Sequence, residues 1–159
     1  MKKYIFSLLL LFPFFLFSQE HRIGAGVGVD MITTPSIETY GGYHINGSYN
    51  YRKEGFCVNG RISLKGGQRN AFNPIYLYNL EYSLTFGGAL HEHIWLAAGP
   101  LYLNGVDVDD TVGLQFQAWV PILLDKFNNI ELYTSAAPTF NGTIIVEVGL
   151  LVTHNLKYE

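Results

Sequence analysis

The side chains with the most chemistry to offer are ionic and spread along the whole chain: Arg22, Asp30, Arg52, Arg61, Lys65, Glu81, Glu131 and Glu147. Each lies in a stretch where polar and apolar residues alternate, and each falls on the polar side of that stretch. Four positive charges meet four negative ones. That balance suits a packed set of ion pairs, since unpaired charges taken out of water are very costly. Arg61 and Glu81 fall at similar depth on neighbouring stretches, and Glu147 is placed to join them from across a closed interior. Structural ion pairing is the expected use of the set; a gated proton or ion path is the alternative.

Other clusters carry less. His91-Glu92-His93 sets two histidines two apart, whereas a zinc site takes three or four ligands. It reads as a solvated turn. Asp107, Asp109 and Asp110 crowd one loop without the ordered twelve-residue ligand set of an EF-hand. A solvated acidic loop is the expectation there, with cation binding as the alternative. Ser48 lies four residues from His44, about 13 Å along a strand, beyond the hydrogen-bond reach that a nucleophile and its base require. Cys57 is the only cysteine, so no internal disulfide framework exists, and a small strand residue is its expected role. No catalytic, metal or cofactor site is expected.

The elements that hold these side chains follow from a period of two, which recurs in eight segments. Ile23, Ala25, Val27, Val29 and Met31 oppose Arg22, Gly24, Gly26, Gly28 and Asp30. Tyr43, Ile45, Tyr49 and Tyr51 oppose His44, Asn46, Ser48, Asn50 and Arg52. Phe56, Val58, Ile62 and Leu64 oppose Cys57, Asn59, Arg61, Ser63 and Lys65, and residues 76–86 repeat the pattern around Glu81. A fifth segment, about residues 93–103, is apolar on both faces. Residues 111–120, 130–140 and 144–155 complete the set and carry Glu131 and Glu147 on their polar faces. Lys53-Glu54-Gly55 reads as a tight turn and residues 70–74 as a longer loop. Residues 104–110 and 125–129 supply two further connections, and Asn141-Gly142 is a strong two-residue hairpin signal.

Residues 1–18 read as a signal peptide. Lys2 and Lys3 are followed by an apolar run broken only by Ser7 and Pro13, then by Ser18 and Gln19; the run is too short for a spanning helix. Residues 19–159 are one domain by length. Without Lys2 and Lys3, Lys+Arg falls from 10 to 8 against Asp+Glu 13, a net charge of about −5 that gives nucleic acid nothing to bind. Aromatics make up 15% of the chain and charged residues only 14%, against about 25% charged in soluble domains. Yet no later segment approaches the ~20 apolar residues of a membrane helix. Such hydrophobicity belongs on one face of a sheet.

Volume and charge say which face points out. Eight strands enclose a space just wide enough for side chains to fill. The apolar face carries bulky Tyr, Phe and branched aliphatics, while the polar face carries Gly24, Gly26, Gly28, Gly87, Gly113 and Gly149. The small face fits inside. The apolar face carries no Asp, Glu, Lys or Arg along the strands, and Arg or Lys there would cost about 2–4 kcal/mol at mid-bilayer. With the N-terminus in the periplasm, Tyr40, Tyr43, Tyr76, Tyr78, Tyr102 and Phe140 gather at the outer end. Tyr49, Tyr51, Phe56, Phe86, Trp95, Trp119 and Tyr158 gather at the inner end, as two aromatic girdles.

By this pattern, over the whole mature sequence, the chain resembles the small eight-stranded outer-membrane barrels, the class of the OmpA transmembrane domain and OmpX. Glu147-Val148-Gly149 through Val152, Leu156 and Tyr158 resembles the C-terminal signal read by the barrel-assembly machinery, with Glu159 following the final aromatic. The resemblance implies an all-β, eight-stranded antiparallel up-and-down transmembrane β-barrel in the outer membrane of a Gram-negative bacterium. Its surroundings would be lipid and lipopolysaccharide, and the acidic loop would bridge the latter if it bound cations. Phe17-Ser18-Gln19 looks like the end of a Bacteroidetes signal peptide. The expected function is non-catalytic: a structural or interaction role with an ion-paired, closed lumen. The alternatives are a lipid A-modifying barrel enzyme, a narrow channel, or a soluble periplasmic lipocalin-like ligand binder. PagL-like deacylases share a His-x-Ser pair, but here Asn46 follows His44 and Leu156 follows His154. PagP-like acyltransferases carry an amphipathic helix before the barrel, and none is read before Ile23.

Overall fold

Side chains that alternate in character can satisfy both faces only on an extended chain, and β-branched and aromatic residues favour that conformation. The computed structural model describes residues 20–36, 39–70, 73–91, 94–105, 110–124 and 127–156. Its eight strands are β1 (Glu20–Thr33), β2 (Thr39–Lys53), β3 (Phe56–Asn70), β4 (Asn73–His91), β5 (Ile94–Gly105), β6 (Thr111–Leu124), β7 (Asn128–Pro138) and β8 (Ile144–Leu156). All pair antiparallel in chain order, and β1 pairs with β8 to close the barrel. Val27, for example, stands opposite Ile45 on one side and Leu150 on the other. Closure leaves no unpaired sheet edge. The signal-peptide segment, Glu92, His93, Asp107, Asp109 and Tyr158 lie outside the described residues.

Two connections differ from the reading of the sequence. The longer loop expected over residues 70–74 is largely strand: β3 runs to Asn70 and β4 starts at Asn73, with a register shift between Gln68 and Asn70. The last connection is a three-residue hairpin loop. Gly142 N–H donates to Thr139 O at 3.0 Å, and Gly142, at φ 85°, takes the left-handed position after the turn. Asn141 Oδ1 accepts from Thr143 N–H (3.1 Å) and from Thr139 Oγ1 (2.6 Å), which fixes the loop. At the other end of the barrel, Glu54 and Gly55 both have positive φ, as a tight primed turn between β2 and β3 requires.

Exposure alternates along the strands. Ile23, Val27, Ile62, Leu84, Phe116 and Leu150 face outward, while Arg22, Asn50, Arg61, Glu81, Gln115 and Glu147 are buried within. Among the described residues, no Asp, Glu, Lys or Arg faces outward between the rims. Tyr43, Tyr102 and Phe140 lie on the outside at one end, and Tyr49, Phe56 and Phe86 on the outside at the other. Tyr40 and Trp119 belong to neither girdle. Their strand parity turns both inward, where they are 9% and 3% exposed, and Trp95 packs half-buried against the same interior as Trp119.

Candidate functional site

The interior is built in layers along the barrel axis. At the end where β1 begins, Arg22 and Arg52 close on Glu131. Arg22 Nη1 lies 3.2 Å from Glu131 Oε1, and Arg52 Nη2 donates to Glu131 Oε2 at 2.9 Å. Arg22 also holds Glu20 of the rim at 2.6 Å. Next comes an apolar layer of Cys57, Ala97, Trp119, Tyr133 and Leu151, with Trp95 against it. It touches charge on both sides: the Arg52 guanidinium sits 4.8 Å from the Trp95 ring centre, and Arg61 sits 5.4 Å from that of Tyr133. Cation–π contacts of this kind gain strength where water is excluded.

The second ionic layer holds the larger cluster. Arg61 Nη2 donates to Glu81 Oε1 at 2.8 Å and also to Glu147. Lys65 reaches Glu81 Oε2 at 3.0 Å, Asp30 Oδ2 at 3.6 Å, and Glu147. Neutral donors complete it. Ser135 Oγ donates to Glu147, and Gln115 Nε2 donates to Glu81 Oε1 at 3.2 Å. An apolar cap of Ile32, Tyr40, Leu101, Leu103, Ala137 and Ile145 covers this layer at the far end. The fifth strand is apolar on both faces for this reason: inward, Ala97 serves one apolar layer and Leu101 and Leu103 the other.

Thus the structure joins Arg61, Lys65, Asp30, Glu81 and Glu147 in one cluster and Arg22, Arg52 and Glu131 in another. Sequence reasoning missed the hub between them. The Tyr133 hydroxyl accepts from Asn46 Nδ2 at 2.6 Å and meets His44 Nε2. Inward-facing glycines clear its space. A Cβ on Gly28 would stand 2.8 Å from His44 Cε1, and one on Gly149 would stand 2.7 Å from the Tyr133 oxygen and 2.6 Å from Val27 O. The three glycines of alternate β1 positions were the visible signal. Gly149→Ala is therefore expected to destabilise the barrel by about 1–3 kcal/mol, the range for overpacking. Urea unfolding in detergent micelles checks it.

His44 Nε2 is engaged by Tyr133, and Ser135 Oγ donates to Glu147. Among the described residues, no three His, Cys, Asp or Glu side chains converge as a metal shell. His91 ends β4, and Asp110 accepts from Tyr102 at 2.9 Å at the rim.

A closed eight-stranded up-and-down barrel with an apolar exterior and a charged, filled interior is the fold of small outer-membrane barrels. Comparison with solved structures gives the same class. Neisserial surface protein A matches with a TM-score of 0.66 at 10% identity, covering 86% of this chain and 97% of that one. Ail, the attachment invasion locus protein of Yersinia pestis, matches at 0.58 and 11% identity, covering 86% and 98%. The outer-membrane protein AlkL, solved in lipid bilayers, matches at 0.58 and 8% identity, covering 88% and 92%. At such identities the likeness is one of fold. No protein-family model and no curated protein matches the sequence.

Proposed function

We propose that this chain is a non-catalytic barrel of the Gram-negative outer membrane, exported by the signal peptide of residues 1–18 and inserted by the barrel-assembly machinery. Its role is structural or one of interaction within lipid and lipopolysaccharide, with a lumen closed to ions. One observation carries the reading: large apolar side chains cover the outside while the charged ones are buried within. Water would reject that surface, whereas a bilayer demands it. Closure of the lumen rests on the two ionic layers and the two apolar ones, which use the width that eight strands enclose. Lys65, His44, Gln115, Glu81 and Glu147 are each 1% exposed or less, so the centre is side chain.

The test has two parts. In outer-membrane fractions, the folded protein is expected to run differently on a gel before and after boiling. In planar bilayers, the purified barrel is expected to give no discrete conductance steps. Recovery in the periplasmic fraction would reject membrane residence. Reproducible steps would reject the closed lumen, and an altered lipid A mass in cells expressing the protein would reject the absence of catalysis.

A further inference from the structure

The outer wall is not evenly covered with side chains. Gly47 of β2 and Gly60 of β3 lie on its outward face, and a Cβ on either would meet nothing within 4 Å. Ala25 of β1 stands beside Gly47 in the ladder. Two hollows result, of about 810 and 1030 Å³, and they share Gly47 and Ile62. The first runs across Ala25 to Val152 and Leu150, the second across Gly60 to Tyr82 and Leu84. Their sizes are those of small-molecule sites, about 300–1,000 Å³.

Polar groups border the hollows on the side where β1 begins. One row of the ladder runs Asn128, His154, Ile23, Tyr49 across β7, β8, β1 and β2. His154 Nδ1 meets Asn128 Oδ1 at 2.9 Å, and the Tyr49 hydroxyl meets His21 Nδ1 at 2.5 Å. A hydroxyl donating to Nδ1 sets the His21 ring proton on Nε2, a donor for a phosphate or ester oxygen. Lys53 comes two residues after Tyr51, the ladder partner of His21, and Glu54 follows in the turn. The diagonal from His21 to Lys53 is about 7–8 Å, within reach of so long a side chain. From Gly47 towards this end the wall thus offers apolar room, then hydrogen-bonding groups, then a charge of each sign. A phospholipid has its parts in the same order.

We infer that this face holds one phospholipid of the periplasmic leaflet, with a zwitterionic headgroup that ends in an ammonium. Its two acyl chains lie in the two hollows, on either side of Ile62. Its phosphate meets His21, Tyr49 and Lys53, and its ammonium meets Glu54. The inference rests on the membrane reading above, with the N-terminus in the periplasm.

The experiment is native mass spectrometry of the heat-modifiable barrel extracted from outer membranes in mild detergent. Membrane residence is thereby established in the sample before any lipid is counted. One phospholipid mass per barrel is expected. After delipidation, dioleoyl phosphatidylethanolamine is expected to rebind one to one. Dioleoyl phosphatidylglycerol, which lacks the ammonium, and dioleoylglycerol, which lacks the whole headgroup, are each expected to bind at least about tenfold more weakly. Gly47→Leu, which fills the junction of the hollows, and Tyr49→Phe, which removes only the hydroxyl, are expected to weaken binding of the phosphatidylethanolamine about tenfold. Val29→Leu, on the same wall outside the hollows, is expected to bind as the wild type does. A barrel that is extracted bare and does not rebind the lipid would overturn the inference. Either comparison lipid binding as tightly as the phosphatidylethanolamine would do so too, as would unchanged binding in Gly47→Leu and Tyr49→Phe. A mass of two barrels per particle would assign the hollows to a second copy of the chain instead.

Discussion

Arg61→Met is expected to lower the stability of the folded barrel by about 3–5 kcal/mol, the cost of removing one partner from a buried ionic set. Met fills similar volume, so the loss is one of charge and not of packing. Arg61 bonds Glu81 and Glu147 while also lying against Tyr133. Without it Lys65 alone faces Asp30, Glu81 and Glu147, and the balanced interior is left with one carboxylate too many. Trp95 and Trp119 lie in the neighbouring layer, so tryptophan fluorescence during urea unfolding reports the change directly. The variant should also start to unfold at lower temperature on gels. A loss below about 1 kcal/mol, the worth of an exposed pair, would mean that the layer is hydrated and that the lumen admits water.

Much of this architecture is legible in the sequence because a strand's side-chain period is two and does not drift. Parity alone places Arg61, Glu81 and Glu147 on the same side of the wall as Arg22 and Glu131. It also places Tyr40 and Trp119 there. Assigning those two to aromatic girdles let residue type override parity, and parity prevailed because both rings fill interior layers. Residues 70–74 read as a loop because Asn and Pro cluster there, yet pairing continues to Asn70 and Asn73, since local turn propensity yields to an extended ladder. Asn-Gly suits either a primed two-residue turn or a left-handed position after a type I turn, and the sequence contains nothing that chooses.

The layering was legible only for Arg61, Glu81 and Glu147, which similar depth had set together. Which interior residues meet depends on the stagger of the barrel as well as on strand order. Arg61 stands opposite Ser83 in the ladder but bonds Glu81, and Arg22 of β1 finds Glu131 of β7 across the lumen. A count of four cations against four anions along the strands looked balanced. That balance holds for the interior as a whole, but the stagger divides it unequally: Arg22 and Arg52 share Glu131, while Arg61 and Lys65 meet Asp30, Glu81 and Glu147.

Leu150→Arg tests the facing of the wall by the sign of its effect. Leu150 and Leu151 are neighbours of identical type; Leu150 is 45% exposed and Leu151 3%. Leu150 lies between Val27 and Leu132, within the apolar belt. In a bilayer an arginine there is expected to cost about 2–4 kcal/mol, depending on depth, and to reduce assembly into the outer membrane. The measure is the heat-modifiable fraction of the membrane-associated protein, together with urea unfolding from lipid vesicles. Had this barrel lived in water, the same substitution would replace an exposed leucine by a solvated charge and would raise solubility at almost no cost to folding. The two environments therefore predict opposite outcomes from a single residue. A Leu150→Arg protein that assembles as the wild type does would place water, not lipid, against this face.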